Sequence, residues 1–327
     1  HLFNSLSIVI PVLSSTFASV GRFLKHAGNM SLGMLIIDES GQAVPQSALG
    51  AIYRTRRAVV VGDPLQVEPV VTIPKVLIDI LADSTCVANE YKVIENSAQT
   101  FADNINEFNG MIGERQVGCP LVVHRRCIEP MFSISNLISY DNRMFNKTNK
   151  KEEYLKPENS FLIKKSGWIN VEGVENGGKD HFVKNQAERV CQLMEDAVHI
   201  YSDLFETDDK IFIITPFRTV AESMRKFIIS YFSAKGYDKE ILSKWTKNCV
   251  GTVHTFQGKD ANEVLLVLGC SNKSAGAMNW VVKKANILNV ACTRAKYRIA
   301  FIGNLNDWKN RRYFREFIPK FIDTIDA

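Results

Sequence analysis

Long apolar runs are missing from this chain. Nothing approaches the ~18 residues that a membrane-spanning helix requires, so no membrane partner is expected. The stretch Leu6 to Leu13 is too short, no basic segment precedes it and polar residues follow, which argues against a secretory leader. Paired cysteine motifs are missing too. The seven cysteines, Cys86, Cys119, Cys127, Cys191, Cys249, Cys270 and Cys292, are odd in number and widely spaced, and no C-x-x-C occurs. A disulfide framework or zinc knuckle is therefore not expected, and reduced thiols in the cytoplasm fit best. A large excess of either charge is missing as well. A formal net charge of +5 leans only slightly toward polyanions and does not by itself identify a nucleic-acid binder. No internal repeat or low-complexity tract occurs.

What is present suits a packed α/β protein. Hydrophobic residues make up 46 % and charged residues 23 %, and 327 residues leave room for two domains. Strands are expected at Ile8 to Ser14, Met34 to Ile37 and Ala58 to Val61, with helices at Ala18 to His26 and at Gln42 to Arg54, the latter carrying Pro45 in its first turn. Near-continuous apolar strands alternating with helices predict a parallel sheet covered on both faces. Residues 72 to 118 read as a mostly helical connector, with an amphipathic stretch opening at Ser97-Ala98-Gln99-Thr100-Phe101. The α/β pattern then resumes. Strands are expected at Trp168 to Val171, Ile211 to Thr215, Val250 to Thr255, Glu263 to Leu268 and Arg298 to Ile302. Helices are expected at Asn185 to His199, Thr219 to Ser233 and Val282 to Arg294. Residues 145 to 160 read as a solvated loop and residues 175 to 180 as a turn. The domains divide at 1–115 and 116–327, and two such domains side by side would make a cleft.

The chemistry-bearing residues lie at strand ends. Met34-Leu35-Ile36-Ile37 runs directly into Asp38-Glu39-Ser40-Gly41-Gln42, and Ala58-Val59-Val60-Val61 runs into Gly62-Asp63-Pro64-Leu65-Gln66. Open α/β sheets bind ligands at the carboxyl ends of their strands. An Asp-Glu pair there can hold a hydrated Mg2+ with the first acid and polarise an attacking water with the second, as nucleoside triphosphate hydrolysis needs. The plainer alternatives are a strand stopping at solvated acids and a tight Gly-Asp-Pro turn. Gln66 offers an amide that donates and accepts at once. His124-Arg125-Arg126-Cys127 is either a basic surface turn or an arginine aimed at phosphate, for which the planar guanidinium fork is suited. Val253 to Asp260 forms a loop whose Gln257-Gly258 lets backbone approach a ligand closely. Arg294, on a helix, is open to the reading of an ordinary surface charge.

The order of these segments carries more than any one of them. Asp38-Glu39, Gly62-Asp63-x-x-Gln66, Arg125-Arg126-Cys127, Ile213-Ile214-Thr215-Pro216-Phe217, Thr255-Phe256-Gln257-Gly258 and Asn289 to Ala295 resemble the motif series of superfamily-one helicases. The branch it most resembles holds the nonsense-mediated-decay RNA helicase and the Okazaki-fragment helicase-nuclease. The likeness runs from roughly residue 9 to residue 304, with gaps at 70–115 and 141–185. It implies two RecA-like domains, ATP and Mg2+ as cofactors, and single-stranded nucleic acid, DNA or RNA, as partner of a monomeric motor. Carried over, Asp38 would hold Mg2+, Glu39 would activate water and Gln66 would sense the γ-phosphate, with Asp63 beside it in the nucleotide-binding set. Arg126 and Arg294 would reach the phosphates from the second domain. Arg125 rivals Arg126, which is preferred because a proline, Pro130, follows shortly, as in the family. Gln257 and Gly258 would couple nucleotide to strand, and Ser15, Thr16, Thr215, Pro216 and Thr255 would lie near the nucleic-acid path.

One departure stands out. No G-x-x-x-x-G-K-[ST] occurs in the 327 residues, and Gly177-Gly178-Lys179-Asp180 lacks the hydroxyl residue. That loop and its lysine supply much of the triphosphate binding in this fold. In the family it precedes the Asp-Glu strand. The chain starts at His1 rather than Met, so the expectation is a first domain truncated at its front, weak ATP binding by this piece and hydrolysis by the full-length parent. Two other functions remain in view: a binding or regulatory module without turnover, and the motor part of a nuclease or defence system.

Overall fold

The structure, a computed structural model, describes residues 2–325 except 89, 90, 93, 95, 113, 114, 149–159, 176, 178, 179 and 257. The chain divides into two compact units, His1–Met111 with Gln116–Cys119, and Ile112–Arg115 with Pro120–Ala327. Among the described residues no helix is long and apolar enough to cross a membrane.

In the first unit, strand β1 (Leu35–Ile37) pairs in parallel with β2 (Ala58–Val60), Leu35 opposite Ala58 and Ile37 opposite Val60. The crossover between them is the helix Pro45–Tyr53, begun by a proline whose missing N–H is one a helix start leaves unbonded anyway. Successive strand side chains face opposite ways. Ile37, Ala48 and Ala98 form a small core, with Phe17, Leu35, Ala43 and Val60 packed against it. The other face is bare among the described residues, with Ile36 67 % and Val59 45 % exposed. The sheet is thus covered on one face, where the sequence pattern predicted cover on both. The strand expected over Ile8 to Ser14 does not form. Leu2–Val9 is a helix, and Ile10 N–H still donates to Leu6 O at 2.7 Å. A helix satisfies its backbone within itself, whereas a strand needs a partner, and among the described residues this sheet consists of β1 and β2. The connector holds the helices Lys75–Ser84 and Ala98–Ile105, then two short paired strands, β3 (Gly110–Ile112) and β4 (Arg115–Val117). Ser97 and Thr100 close a capping box that fixes where the helix Ala98–Ile105 begins.

The second unit opens with β5 (Val123–His124), which pairs in parallel with β6 (Phe145–Asn146), so part of the expected 145–160 loop is strand and residues 149–159 lie outside the described residues. Its core is a six-stranded parallel sheet. The strands are β7 (Gly167–Asn170), β8 (Ile211–Ile214), β9 (Val250–Gly251), β10 (Ala261–Val267), β11 (Ala295–Gly303) and β12 (Asp323–Thr324). Their order is β12-β7-β11-β10-β8-β9, with parallel pairing throughout. All four residues of β8 are buried and all but one of β10, the pattern of strands covered on both faces. Helices Lys184–Ile200, Arg218–Ser233 and Asn286–Arg294 match expectation in kind. Three details differ. The strand expected at Val250 to Thr255 stops at Gly251 and tightens into a turn of 3-10 helix at Val253–Phe256. The helix expected at Val282 to Arg294 begins only at Asn286, and a separate helix, Ala275–Val281, precedes the expected range. The helix Lys239–Cys249, capped by Asp238, carries no expectation from the sequence.

Candidate functional site

Asp38 and Glu39 follow β1, and Asp63 and Gln66 follow β2, so the parallel pairing brings all four to one end of one sheet. Two glycines let the loops meet. A Cβ on Gly62 would lie 2.5 Å from Gly41 N and 2.7 Å from Ser40 N, and one on Gly41 would lie 2.8 Å from Asp63 O. Ser40 N–H donates to Val61 O at 2.9 Å across the same seam. Glu39 sits in the left-handed region, φ 53° and ψ 35°, which a non-glycine residue holds only where its surroundings enforce it. Its N–H donates to Asp38 Oδ1 at 2.9 Å, and its Oε2 accepts from Gln42 Nε2 at 2.8 Å. Both acids are exposed. Asp63 accepts from Leu65 N at 2.9 Å and from Gln66 Nε2 at 2.8 Å, a turn closed by its own side chain. Beneath lies a buried relay: Ser40 Oγ donates to Gln99 Oε1 at 2.7 Å and Gln99 Nε2 to Asp103 Oδ1 at 2.8 Å. Gln99 was quoted in the sequence only as part of a helix start.

In the second unit, Arg126 is half-buried and Arg125 exposed. His124 Nε2 accepts the Cys127 N–H at 2.9 Å, which ties the loop back on itself. Burial, reinforced by the Arg126 charge, pushes the His124 imidazole down to about 4, so it is neutral at pH 7. Ile128 N–H donates to Lys296 O at 3.3 Å, stitching the Arg126 loop to the strand that begins just after Arg294. Arg294 is not a surface charge. It is 2 % exposed, and its Nη1 donates to Phe256 O at 3.3 Å and Lys259 O at 3.1 Å. Those carbonyls bracket Gln257 and Gly258, so the guanidinium clamps the loop that the sequence singled out. Gly258 adopts φ +71°, which explains the glycine. Gln257 lies outside the described residues.

The expected nucleic-acid residues divide. Ser15 and Thr16 are exposed, and Ser15 shares a hollow with Arg22. Thr255 is half-buried and packs over Gly251, where a Cβ would meet its Oγ1 at 2.4 Å. Thr215, 1 % exposed, and Pro216 are buried at the end of β8. Beyond the same sheet edge, Glu175, His181 and Cys270 bring ligand-type atoms within 4.8 Å of one another. Both Glu175 oxygens are already engaged, by Ser271 N–H, the Ser274 hydroxyl and His181 Nδ1, and burial pushes the Cys270 thiol up to about 12, so the cluster reads as a polar brace.

Comparison with known proteins follows the same lines. A family model described as an AAA domain matches residues 107–306, and a second of that description matches residues 4–73. The chain belongs to this AAA-domain family, among the superfamily-one helicases. It is 24 % identical over 301 residues to an uncharacterised ATP-dependent helicase of Methanocaldococcus jannaschii, covering 87 % of this chain and 38 % of that protein. It is 25 % identical over 298 residues to the regulator of nonsense transcripts 1 of Caenorhabditis elegans, covering 88 % of this chain and 24 % of that protein. It is 23 % identical over 298 residues to the DNA replication ATP-dependent helicase/nuclease DNA2 of Bos taurus, covering 82 % and 24 %. The chain therefore spans between 24 % and 38 % of the length of these relatives.

Proposed function

We propose that the whole protein is an ATP-driven helicase or translocase on single-stranded nucleic acid. The observation that carries this reading is the meeting of Asp38, Glu39, Asp63 and Gln66 at the carboxyl ends of two adjoining parallel strands. Asp38 suits a hard divalent cation: it is an exposed carboxylate whose Oδ2 makes none of the bonds described above. Mg2+, when bound there, supplies neutralisation of phosphate oxygens. Glu39 then orients the attacking water and takes its proton, and its enforced backbone conformation supports that role. Gln66 contacts the terminal phosphate, its amide set by Asp63. Arg126 brings a permanent charge to the phosphates. Arg294 holds the loop of Gln257 and Gly258, through which nucleotide state reaches the strand. We extend the proposal to a monomer in a reduced, cytoplasmic setting, which the seven free cysteines support.

The test is strand-stimulated ATP turnover by the full-length protein, wild type against E39Q. Turnover should fall by about 100-fold or more, the contribution of a general base. Unchanged turnover would remove Glu39 from the role. For the 327-residue chain alone, which contains no G-x-x-x-x-G-K-[ST], calorimetric titration with ATP and Mg2+ should register only weak binding, and micromolar affinity would overturn that expectation.

A further inference from the structure

We infer that the second unit carries a base-stacking site for single-stranded nucleic acid, built on Trp280 with Lys283, Arg311 and Arg312 around it. The inference rests on the nucleic-acid reading above and adds a contact that none of the motif residues supplies. Thr215 and Pro216, expected near the nucleic-acid path, are buried. What faces solvent beside them is an indole.

Of the four tryptophans, Trp168, Trp245 and Trp308 are buried, whereas Trp280 is 53 % exposed. An exposed indole offers a flat face on which a base can stack. The ring is propped. The Phe217 ring lies 5.8 Å away, tilted by 36°, and Phe217 packs in turn on His181 with centroids 4.8 Å apart. Trp280 lines a trough of roughly 690 Å³ together with Asn279, Lys283, Asn310, Arg311 and Arg312. Among the described residues that line it are three cations and no carboxylate.

The arginines are held in advance of any ligand. Arg311 donates through Nη1 to Asn279 Oδ1 and through Nε to Asp307 O at 3.0 Å. The Arg312 guanidinium lies 4.8 Å from the Tyr313 ring centroid. Tyr313 itself takes a left-handed backbone, φ 67°, which turns the chain between these arginines and the helix Phe314–Phe321. Side chains fixed beforehand lose less entropy on binding.

A flat aromatic surface ringed by cations and amide groups fits a nucleobase on the indole, with its flanking phosphates on the arginines and the lysine. An acidic peptide would satisfy the cations and leave the indole unused. An apolar partner would strip water from three charges without compensation.

Titration of the 327-residue chain with oligothymidine and with oligouridine tests this, because the exposed indole reports stacking through fluorescence quenching. Binding should quench the emission. W280A should abolish the quench and weaken binding about tenfold. W280F should retain most of the affinity. K283A and R312A should each lower the salt dependence, log Kd against log salt, by about 0.7. Circular dichroism checks that each variant is folded. If wild type binds strand and W280A binds equally with the same slope, this site is wrong while the helicase reading stands. If polyglutamate displaces the oligonucleotide at equal affinity and W280A is silent, the trough is instead an acidic-protein surface. If wild type binds neither oligonucleotide, this site and the nucleic-acid reading fall together.

Discussion

Two glycines decide whether the acids of the first unit can share a sheet end. At Gly62 a methyl group would strike Ser40 Oγ and the backbone nitrogens of Ser40 and Gly41, and the nitrogens cannot rotate away as a side chain would. G62A should therefore cost about 2–4 kcal/mol by strain alone, read as a lower urea midpoint. Arg294 makes a matching case in the second unit. R294A leaves the Phe256 and Lys259 carbonyls without that donor and opens a cavity in a buried helix, and a loss on the order of 3 kcal/mol should appear in thermal melts. The four acid and amide residues of the first unit were legible in the sequence because an apolar run announces the strand that ends at them. The burial of Arg294 was not. Its partners lie 35 and 38 residues away in sequence, and nothing local distinguishes a clamping arginine from a solvated one. Trp280 was equally silent, since exposure depends on what the fold happens to set beside a residue.

Strand β10 shows how an element can hide a charge. Its Glu263 is fully buried, accepting from Leu162 N at 2.9 Å, Ile163 N at 2.6 Å and Tyr201 Oη at 2.6 Å. Burial raises its carboxyl from 4.5 to about 7, with the hydrogen bonds opposing. The folded state thus holds this proton more tightly than the unfolded chain. Its contribution to stability is full below about pH 4.5 and is lost as pH rises through about 7. E263Q should remove that falling contribution, measured as the difference in melting temperature between variant and wild type from pH 4.5 to 7. The strand was legible as Glu263 to Leu268, but the inward turn of its only carboxylate was not, because its acceptor role is set by residues 100 positions upstream. The sequence likewise gives no sign that residues 8–14 lack a strand partner, since pairing is a property of the sheet and not of the strand.

For the molecule as a whole, two of the perturbed groups of the second unit pull in opposite directions. His124, held near 4 instead of 6.5, favours the folded state as pH rises between those values, whereas Glu263 disfavours it from 4.5 to 7. Where the windows overlap the slopes oppose, so the wild-type melting temperature should vary little from pH 4.5 to 6.5. E263Q should unmask a rising slope over that range. The fold class and the alternation of strands and helices were legible throughout, because periodicity is local. Which faces are covered was not, because cover comes from other segments.

The uncovered side of β1 and β2, with Ile36 and Val59 open to water beside Met34 and Val61, has a practical consequence at the bench. Environment-sensitive dyes should adhere to this polypeptide while it is still native. Thermal-shift traces would then start from a high baseline and could even fall on heating, which makes label-free spectroscopy the sound choice for every melt described above.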